Sequence, residues 1–399
     1  MIAGLAVAIF IVTYAVVAIG RVPRLHIDRA GAALLGGALM VACGVMTLDD
    51  AYRAIDFDTV ALLLGMMIVV ANLRLAGFFG LVTAWVVRSA GRPVLLLSGV
   101  IVTTGVLSAV LVNDTICLVL TPLVLAIVLR LGRNPVPYLI AVALSSNVGS
   151  TATITGNPQN MIIGSLSHIS YGAFAGALAP VAAVGLFLTL GIVVLVWRGE
   201  FVTAARLNAE PPRVRVNQAL LLKTLVVSSL VMAAFLAGVR PALAALVGGA
   251  ALLPSRRLKV GRVWREIDWT LLVMFCGLFV VVAGLERAVL TPERVALVHL
   301  APPALLALAT AVLSNIVSNV PAVLVLKPFI AALPDPARAW TVVAMASTLA
   351  GNFTILGSVA NLIVVQRARA GGVVIGFGTY FIAGAPVTVL TILAGIALL

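Results

Sequence analysis

Apolar residues fill this chain in long runs, separated by short polar breaks. A helix that crosses hydrocarbon needs about 20 mostly apolar residues. Runs of that kind predict spans at roughly 2–20, 30–48, 59–77, 137–168 and 172–197, and again at 218–238, 240–254, 268–285, 338–366 and 376–398. The spans 137–168 and 338–366 are expected to be broken. Two further stretches, near 95–130 and 303–333, predict hairpins that enter and leave on one side. The segments 78–92 and 286–300 carry paired charges and are expected at the interface. No basic residue precedes the run Ile2 to Gly20 and no A-x-A site follows it, which predicts a retained helix and not a signal peptide. The polar segment 199–217, with Pro211-Pro212, is too short for a domain. The expected organisation is a first repeat over 1–198, a cytoplasmic linker over 199–217 and a second repeat over 218–399.

The two halves match at chemically distinctive positions. Ile55-Asp56-Phe57 precedes a run containing Gly65, and Ile267-Asp268-Trp269 precedes one containing Gly277, 212 residues later in each case. Ala32 to Ala38 falls on Ala244 to Ala250 at the same offset. Asn113 and Pro122 fall on Asn319 and Pro328 at an offset of 206, and Ser146, Thr153-Ile154, Gly156 and Asn160 fall on Ser347, Thr354-Ile355, Gly357 and Asn361 at 201. Small loop deletions produce such steps.

Charge then orients the repeats. Arginines cluster at Arg21, Arg24 and Arg29, at Arg198, Arg206, Arg213 and Arg215, from Arg256 to Arg265, and at Arg367 and Arg369. The positive-inside rule places these loops in the cytoplasm. The acidic segment Asp49 to Asp58 then lies outside while its basic mate, Arg256 to Asp268, lies inside, as inverted-topology repeats require. The predicted fold class is an all-α polytopic membrane protein of two inverted repeats. Each holds about five spans, one of them a broken helix, plus one re-entrant hairpin.

Composition agrees. The 399 residues are 62% hydrophobic and 10% charged, against about 45–50% and 25% in soluble domains. The net charge of +13 sits in short loop clusters, so nucleic acid is not an expected partner; the lipid bilayer is. Cys43, Cys117 and Cys276 are too scattered for a disulfide framework or a zinc site. None of the three lysines follows a glycine, so there is no phosphate-binding G-K-[ST] loop and no sign of ATP-driven pumping.

Four polar-rich segments interrupt the apolar pattern: Val112 to Thr115, Ser145 to Asn160, Ser314 to Pro321, and Ser347 to Asn361. Irregular backbone survives at membrane depth only where protein buries it or a cavity lines it. Gly149, Gly156 and Pro158 oppose a continuous helix. Breaks in matching positions of two halves point to a transport site built from half-helix ends, whose N-termini suit anions and whose C-termini suit cations. Candidate binding residues are Asn113, Asp114, Thr115, Ser146, Asn147, Gly149, Thr153, Gly156, Asn157, Asn160, Ser314, Ser318, Asn319, Thr354, Gly357, Ser358 and Asn361. Gly156 and Gly357 are expected to line the site with backbone. Na⁺ is a candidate ligand at Asn113, Asp114 and Asn319. Asp114 stands apart, because a carboxylate in an apolar run costs at least about 2.5–3.5 kcal/mol to insert; the structural alternative is a salt bridge to a distant Arg. Its mate is Val320. Lys327 is expected to snorkel near the outer surface, His168 and His299 to be interfacial, and the mates Arg74 and Glu286 to be anchors or structural pairs.

At these residues the chain resembles the ion-transporter superfamily that includes divalent-anion/sodium symporters, citrate transporters, arsenite permeases and a class of sodium/proton antiporters. The resemblance covers nearly the whole chain. The divalent-anion symporters carry Ser-Asn-Thr at each hairpin tip, with a proline nine residues after the Asn. Here the tips read Val112-Asn113-Asp114 with Pro122 and Ser318-Asn319-Val320 with Pro328. Asn113-Asp114 followed by Thr121-Pro122 is closer to the arsenite permeases and proton-coupled antiporters. Gly156-Asn157-Pro158-Gln159-Asn160 resembles the unwound loop of the broken helix in bacterial anion permeases, and Gly357 to Asn361 resembles its mate.

The resemblance implies a secondary transporter, not an enzyme, moving a small inorganic or organic anion or oxyanion. No cofactor is implied beyond Na⁺ or H⁺ as the coupling ion. It also implies a multi-pass protein of the bacterial inner membrane and a possible homodimer. The alternatives are a Na⁺/H⁺ antiporter and an arsenite efflux permease.

Overall fold

A computed structural model describes residues 2–19, 21–22, 27–203, 206–207, 214–255, 258–290, 295 and 300–399. Arg24, Pro211-Pro212, Arg213, Arg256, Arg257, His299 and most of 291–300 lie outside the described residues. The first half runs α1 (Ile2–Ile19), α2 (Arg29–Ala42), α3 (Leu48–Ala54), α4 (Phe57–Ala76), α5 (Phe78–Ser89), α6 (Pro93–Val110), α7 (Asn113–Arg130), α8 (Pro135–Ser150), α9 (Pro158–Ser167) and α10 (Tyr171–Val196). A one-turn helix, α11 (Arg198–Phe201), follows. The second half runs α12 (Gln218–Leu236), α13 (Pro241–Leu252), α14 (Val260–Glu266), α15 (Trp269–Val289), α16 (Pro303–Val317), α17 (Asn319–Ala331), α18 (Pro336–Ala350), α19 (Val359–Ala370) and α20 (Phe377–Leu398). A short pairing of Arg21–Val22 with Ile27–Asp28 is the only strand structure among the described residues.

The matched sequence signals turn out to be helix punctuation. Asp56 caps α4 by accepting the amide of Thr59 at 3.1 Å, and its mate Asp268 caps α15 by accepting that of Leu271 at 2.9 Å. Each cap satisfies a backbone donor that the first helical turn leaves open. The expected breaks fall between α8 and α9 and between α18 and α19. Each break holds a 3₁₀ turn, Ile154–Gly156 and Ile355–Gly357. Asn157 and Ser358 then restart the helices by accepting the amides of Asn160 and Ala360.

Packing joins the halves into one body. α4 packs on α13, and its mate α15 packs on α2. A Cβ on Gly65 would lie 2.4 Å from the backbone of Ala245; a Cβ on Gly277 would lie 2.4 Å from that of Ala33. The two contacts are related by the repeat offset of 212, which carries Gly65 onto Gly277 and Ala33 onto Ala245, so one close approach occurs twice. With no hydrophobic force between helices in lipid, small residues that let backbones meet supply the contact. Arg74, near the end of α4, pairs with Glu266 just before α15; Arg287, near the end of α15, pairs with Asp50 just before α4. α4 and α15 are therefore antiparallel, and α3 and α14 cover opposite ends.

The hairpins α6–α7 and α16–α17 pack on the broken helices, which rest on α10 and α20. Seven described helices are long and apolar enough to cross a membrane, and α6 and α7 are among them. α16 and α17, with 15 and 13 residues, are shorter. The first hairpin thus reaches further than the expected equivalence of the two predicts.

Candidate functional site

Both hairpin tips and both helix breaks meet at one place. A cavity of about 150 Å³ is lined there by Asn113 and Asp114 of α7, Pro158 and Gln159 of α9, Asn319 to Pro321 of α17, and Ser358-Val359 at α19. All four are helix N-termini. Arg29, the first residue of α2, makes a fifth, and α15 closes the wall with Leu271, Met274, Phe275 and Leu278. Each N-terminus carries the positive end of a helix dipole, about half a charge, and Asp28, Asn157 and Ser358 already accept one amide each at the starts of α2, α9 and α19.

Behind the cavity a buried amide network crosses between the halves. Asn147 donates to Asn352 at 2.8 Å and to Asn361 at 3.0 Å, and it accepts from Asn113 and Ser358 at 3.1 Å each. The mate of its bond with Ser358 is Asn157 donating to Thr348 at 3.2 Å. Asn160 donates to the carbonyls of Ser150 and Thr153, at 3.1 and 3.0 Å. Asn361 donates to those of Gly351 and Thr354, at 2.7 and 3.0 Å. These are the orphan carbonyls of broken helix ends, which would each cost several kcal/mol if left unpaired in hydrocarbon. Two oxygens at the tips stay open: Asn113 Oδ1 and Asn319 Oδ1 are buried and accept no hydrogen bond among the described residues.

The seventeen residues singled out in the sequence separate into layers. Asn113, Asp114, Ser318, Asn319 and Ser358 line the cavity. Thr115 lines a second cavity of about 70 Å³, which Asp114 shares with Arg74, Glu266 and Asp268. Asn147, Asn157, Asn160, Thr153, Thr354 and Asn361 belong to the network, and Ser146 donates to the Asn113 carbonyl at 3.4 Å. Ser314 is buried, and its hydroxyl has no hydrogen-bond partner among the described residues. Gly149, Gly156 and Gly357 are packing positions: their Cβ atoms would meet backbone of Gly105, Ser150 and Gly351 at 2.1, 2.1 and 2.8 Å. Gly156 and Gly357 hold the breaks closed behind the cavity and are not among the residues that line it.

Asp114 forms no salt bridge among the described residues; it shares its cavity with Arg29 and interacts with it through space. Lys327 pairs with Glu286 at 3.7 Å, and Arg74 pairs with Glu266, so both are structural ion pairs. His168 takes a left-handed backbone at φ 55° where α9 ends, lining a cavity of about 430 Å³ with Asp58, Tyr171 and Arg240.

With this geometry in place, comparison with known proteins is decisive for the family. The family model described as citrate transporter (CitMHS) matches residues 9–350. This chain belongs to the citrate transporter family. A relative from Mycobacterium tuberculosis (strain ATCC 25618 / H37Rv), called an uncharacterized transporter, is 32% identical over 97% of this chain and 96% of its own length. The silicon efflux transporter LSI3 of Oryza sativa subsp. japonica is 30% identical over 95% and 93%. A putative transporter arsB of Dictyostelium discoideum is 24% identical over 94% and 87%. Among solved structures, the YdaH transporter of Alcanivorax borkumensis superposes with a TM-score of 0.58 at 16% identity, covering all of this chain and 97% of that one. It shares the fold. The expected superfamily and the multi-pass transporter character are borne out.

Three polar residues lining the cavity of this citrate transporter family member were not among the sequence candidates: Arg29, Gln159 and Asn315. Gln159 and Asn315 lie inside the polar segments, and only the geometry separates them from their neighbours. Arg29 was read with the cytoplasmic loop cluster. Its position was the available signal, since a cation at the first residue of a helix opposes the macrodipole.

Proposed function

We propose that the protein is a secondary active transporter of a small anion or oxyanion, coupled to Na⁺ or H⁺ across a bacterial inner membrane. The carrying observation is the convergence of five helix N-termini and one arginine on a cavity of about 150 Å³. Such ends bind phosphate, sulfate and carboxylate groups through backbone N–H donors, and this volume suits a compact ion. Asn113 Oδ1 and Asn319 Oδ1 are open neutral acceptors suited to a cation, and Asp114 supplies the charge that a coupling Na⁺ or proton would neutralise. The cavity lies at the α14 end of α15, the end the arginine clusters assign to the cytoplasm. The 430 Å³ cavity lies beside α9 toward its far end, at the start of α4. Openings on both sides of a broken helix support alternating access.

The test is flux in proteoliposomes under imposed Na⁺ or H⁺ gradients, with arsenite, silicate, sulfate, phosphate, succinate and citrate as candidate solutes. Gradient-driven movement of one small oxyanion is the expected result. Flux of Na⁺ against H⁺ with no accompanying solute would replace this reading by cation/proton antiport. A second reading, efflux of a neutral hydroxylated oxoacid, draws on the rice relative and on the amide-rich lining. It predicts silicate or arsenite flux that is insensitive to membrane potential.

A further inference from the structure

The outer sides of the two hairpins differ. In the first half α6 packs directly on α10, and a Cβ on Gly105 would lie 2.7 Å from the Leu186 side chain. The repeat carries α10 onto α20 at an offset of 206, with Gly172, Pro180 and Val181 falling on Gly378, Pro386 and Val387. Gly105 and Leu186 then fall on Ala311 and Ile392. In the second half those two residues line a groove of about 560 Å³ between α16 and α20. The cause is local. Phe353 lines the groove where the first half has Ala152, and it packs edge to face on Phe381, where the first half has Ala175. Two rings in place of two alanines hold α20 away from the hairpin.

We propose that this groove holds one acyl chain of an outer-leaflet lipid, which takes the place that Leu186 fills in the first half. Its walls are aliphatic along their length, and the Asn315 amide nitrogen at the inner end already donates to the carbonyls of Ala311 and Ala350. A polar solute or a peptide backbone would leave its own groups unpaired there. The pair Lys327–Glu286 sets the open end of the hairpin beside the end of α15 that lies away from the cytoplasmic α14. From that side the groove runs from Ala304 to Ile316, about 18 Å of helix at 1.5 Å per residue. That is a little over half of a hydrocarbon core about 30 Å thick, the depth of one leaflet. Asn315 and Ile316 line the central cavity as well as the groove. A chain seated in the groove therefore braces one wall of the candidate site from its lipid side.

The test is photocrosslinking of the full-length protein in vesicles of phosphatidylethanolamine and phosphatidylglycerol that contain a trace of phosphatidylcholine with a diazirine on one acyl chain. Labelled positions are mapped by mass spectrometry. The repeat supplies the control. Leu308, Val312 and Leu393 beside the groove are 61, 51 and 58% exposed, and their mates Val102, Val106 and Phe187 are 55, 54 and 75% exposed, so bulk lipid alone labels the two sets alike. A seated chain labels the groove set about fivefold or more above the mates, as a preference of about 1 kcal/mol over bulk lipid requires. Ala311→Leu fills the groove from the hairpin and removes that excess while labelling at Phe187 persists. If Ala311→Leu does not fold, Ile392→Phe fills the groove from α20 and is expected to do the same. Equal labelling of the two sets in the wild type overturns the proposal, as does an excess that survives in the folded filling variant. Labelling of the groove set below its mates, with crosslinks between copies of the chain, overturns it in favour of a second copy seated on this face.

Discussion

The two hairpin tips are built to one plan and carry different chemistry. Asn113 and Asn319 are mates, as are Ser108 and Ser314, and all four are buried with a side-chain oxygen that finds no hydrogen-bond partner among the described residues. Each tip thus offers the same pair of neutral acceptors. Beyond that they part. Asp114 stands where the second tip has Val320, and Arg29 stands where the second half has Pro241. The first tip leaves its hairpin in ordinary extended backbone, while Ser318 turns at φ 78°. The repeated part is a neutral cradle, and the ionisable part occurs once. A two-fold frame can present the cradle to either side of a membrane, whereas the carboxylate belongs to one tip alone.

The sharpest way to break the two-fold description is to attack its frame. Gly65→Leu and Gly277→Leu each drive a side chain into backbone 2.4 Å away, where neither helix can yield. Overpacking costs about 1–3 kcal/mol even where side chains can adjust, so both variants should lose most folded protein, and to similar extents. Folded yield by size-exclusion chromatography is the measurement. Tolerance at one position and collapse at the other would show that the two crossings are not equivalent.

The tips themselves come next. Asp114→Asn should abolish uphill transport while downhill anion exchange persists. Val320→Thr should leave the Na⁺ and pH dependence of transport unchanged. Proteoliposome uptake with and without a gradient reads both. Full uphill transport in Asp114→Asn would end its coupling role, and loss of folded yield alone would make it a structural charge.

A smaller difference lies in the amide network. Asn147 holds four hydrogen bonds to its neighbours' side chains, whereas its mate Thr348 accepts from Asn157 and Gln159 and reaches Asn160 only at 3.5 Å. Asn147→Ala leaves several buried groups unpaired and should cost about 2–3 kcal/mol, against about 1 kcal/mol for Thr348→Val. Melting temperatures of the purified variants should fall in that order, and a reversed order would move the centre of the network to the other half.

Most of the architecture could be read from the chain because membrane folding writes its rules in composition. Hydrocarbon demands long apolar runs, so spans stand out, and it forbids unpaired backbone, so the breaks at Gly156 and Gly357 stand out too. The repeat was visible in residues that punctuate helices, such as Asp56 and Asp268. What the chain did not disclose is which polar residue faces which space. Asn157 and Pro158 are adjacent, yet the asparagine is committed to Ser150 and Thr348 while the proline lines the cavity. That division depends on helix rotation, which a polar-rich segment leaves undetermined. Arg29 was hidden for a different reason: the positive-inside rule accounts for any loop arginine equally well, and only packing brings α2 beside the first hairpin tip.

The smallest effect belongs to the ends of the frame, where Asp50 and Arg287 close one side. Thr47 and Asp50 form a capping box, with the Thr47 hydroxyl donating to the carboxylate at 2.7 Å and the Thr47 amide at 3.2 Å. Those bonds, and then the Arg287 guanidinium, hold the Asp50 carboxyl below the usual carboxylate range. A carboxyl depressed in the folded state contributes stability that is fully present above its unfolded value, near 3.9, and fades as pH falls through the folded value. Asp50→Asn should therefore melt slightly lower than wild type at neutral pH, and the gap should narrow as the pH falls below the unfolded value of about 3.9 and close once the folded carboxyl is protonated. Salt separates the two contributions. At about 1 M the screening length shrinks to roughly 3 Å, which weakens the exposed pair with Arg287 and leaves the Thr47 bonds in place. Arg287→Gln should then be a smaller loss than Asp50→Asn in dilute buffer and indistinguishable from wild type in high salt. If the two variants instead fall together and recover together with salt, the pair and not the capping box fixes α3 at this end.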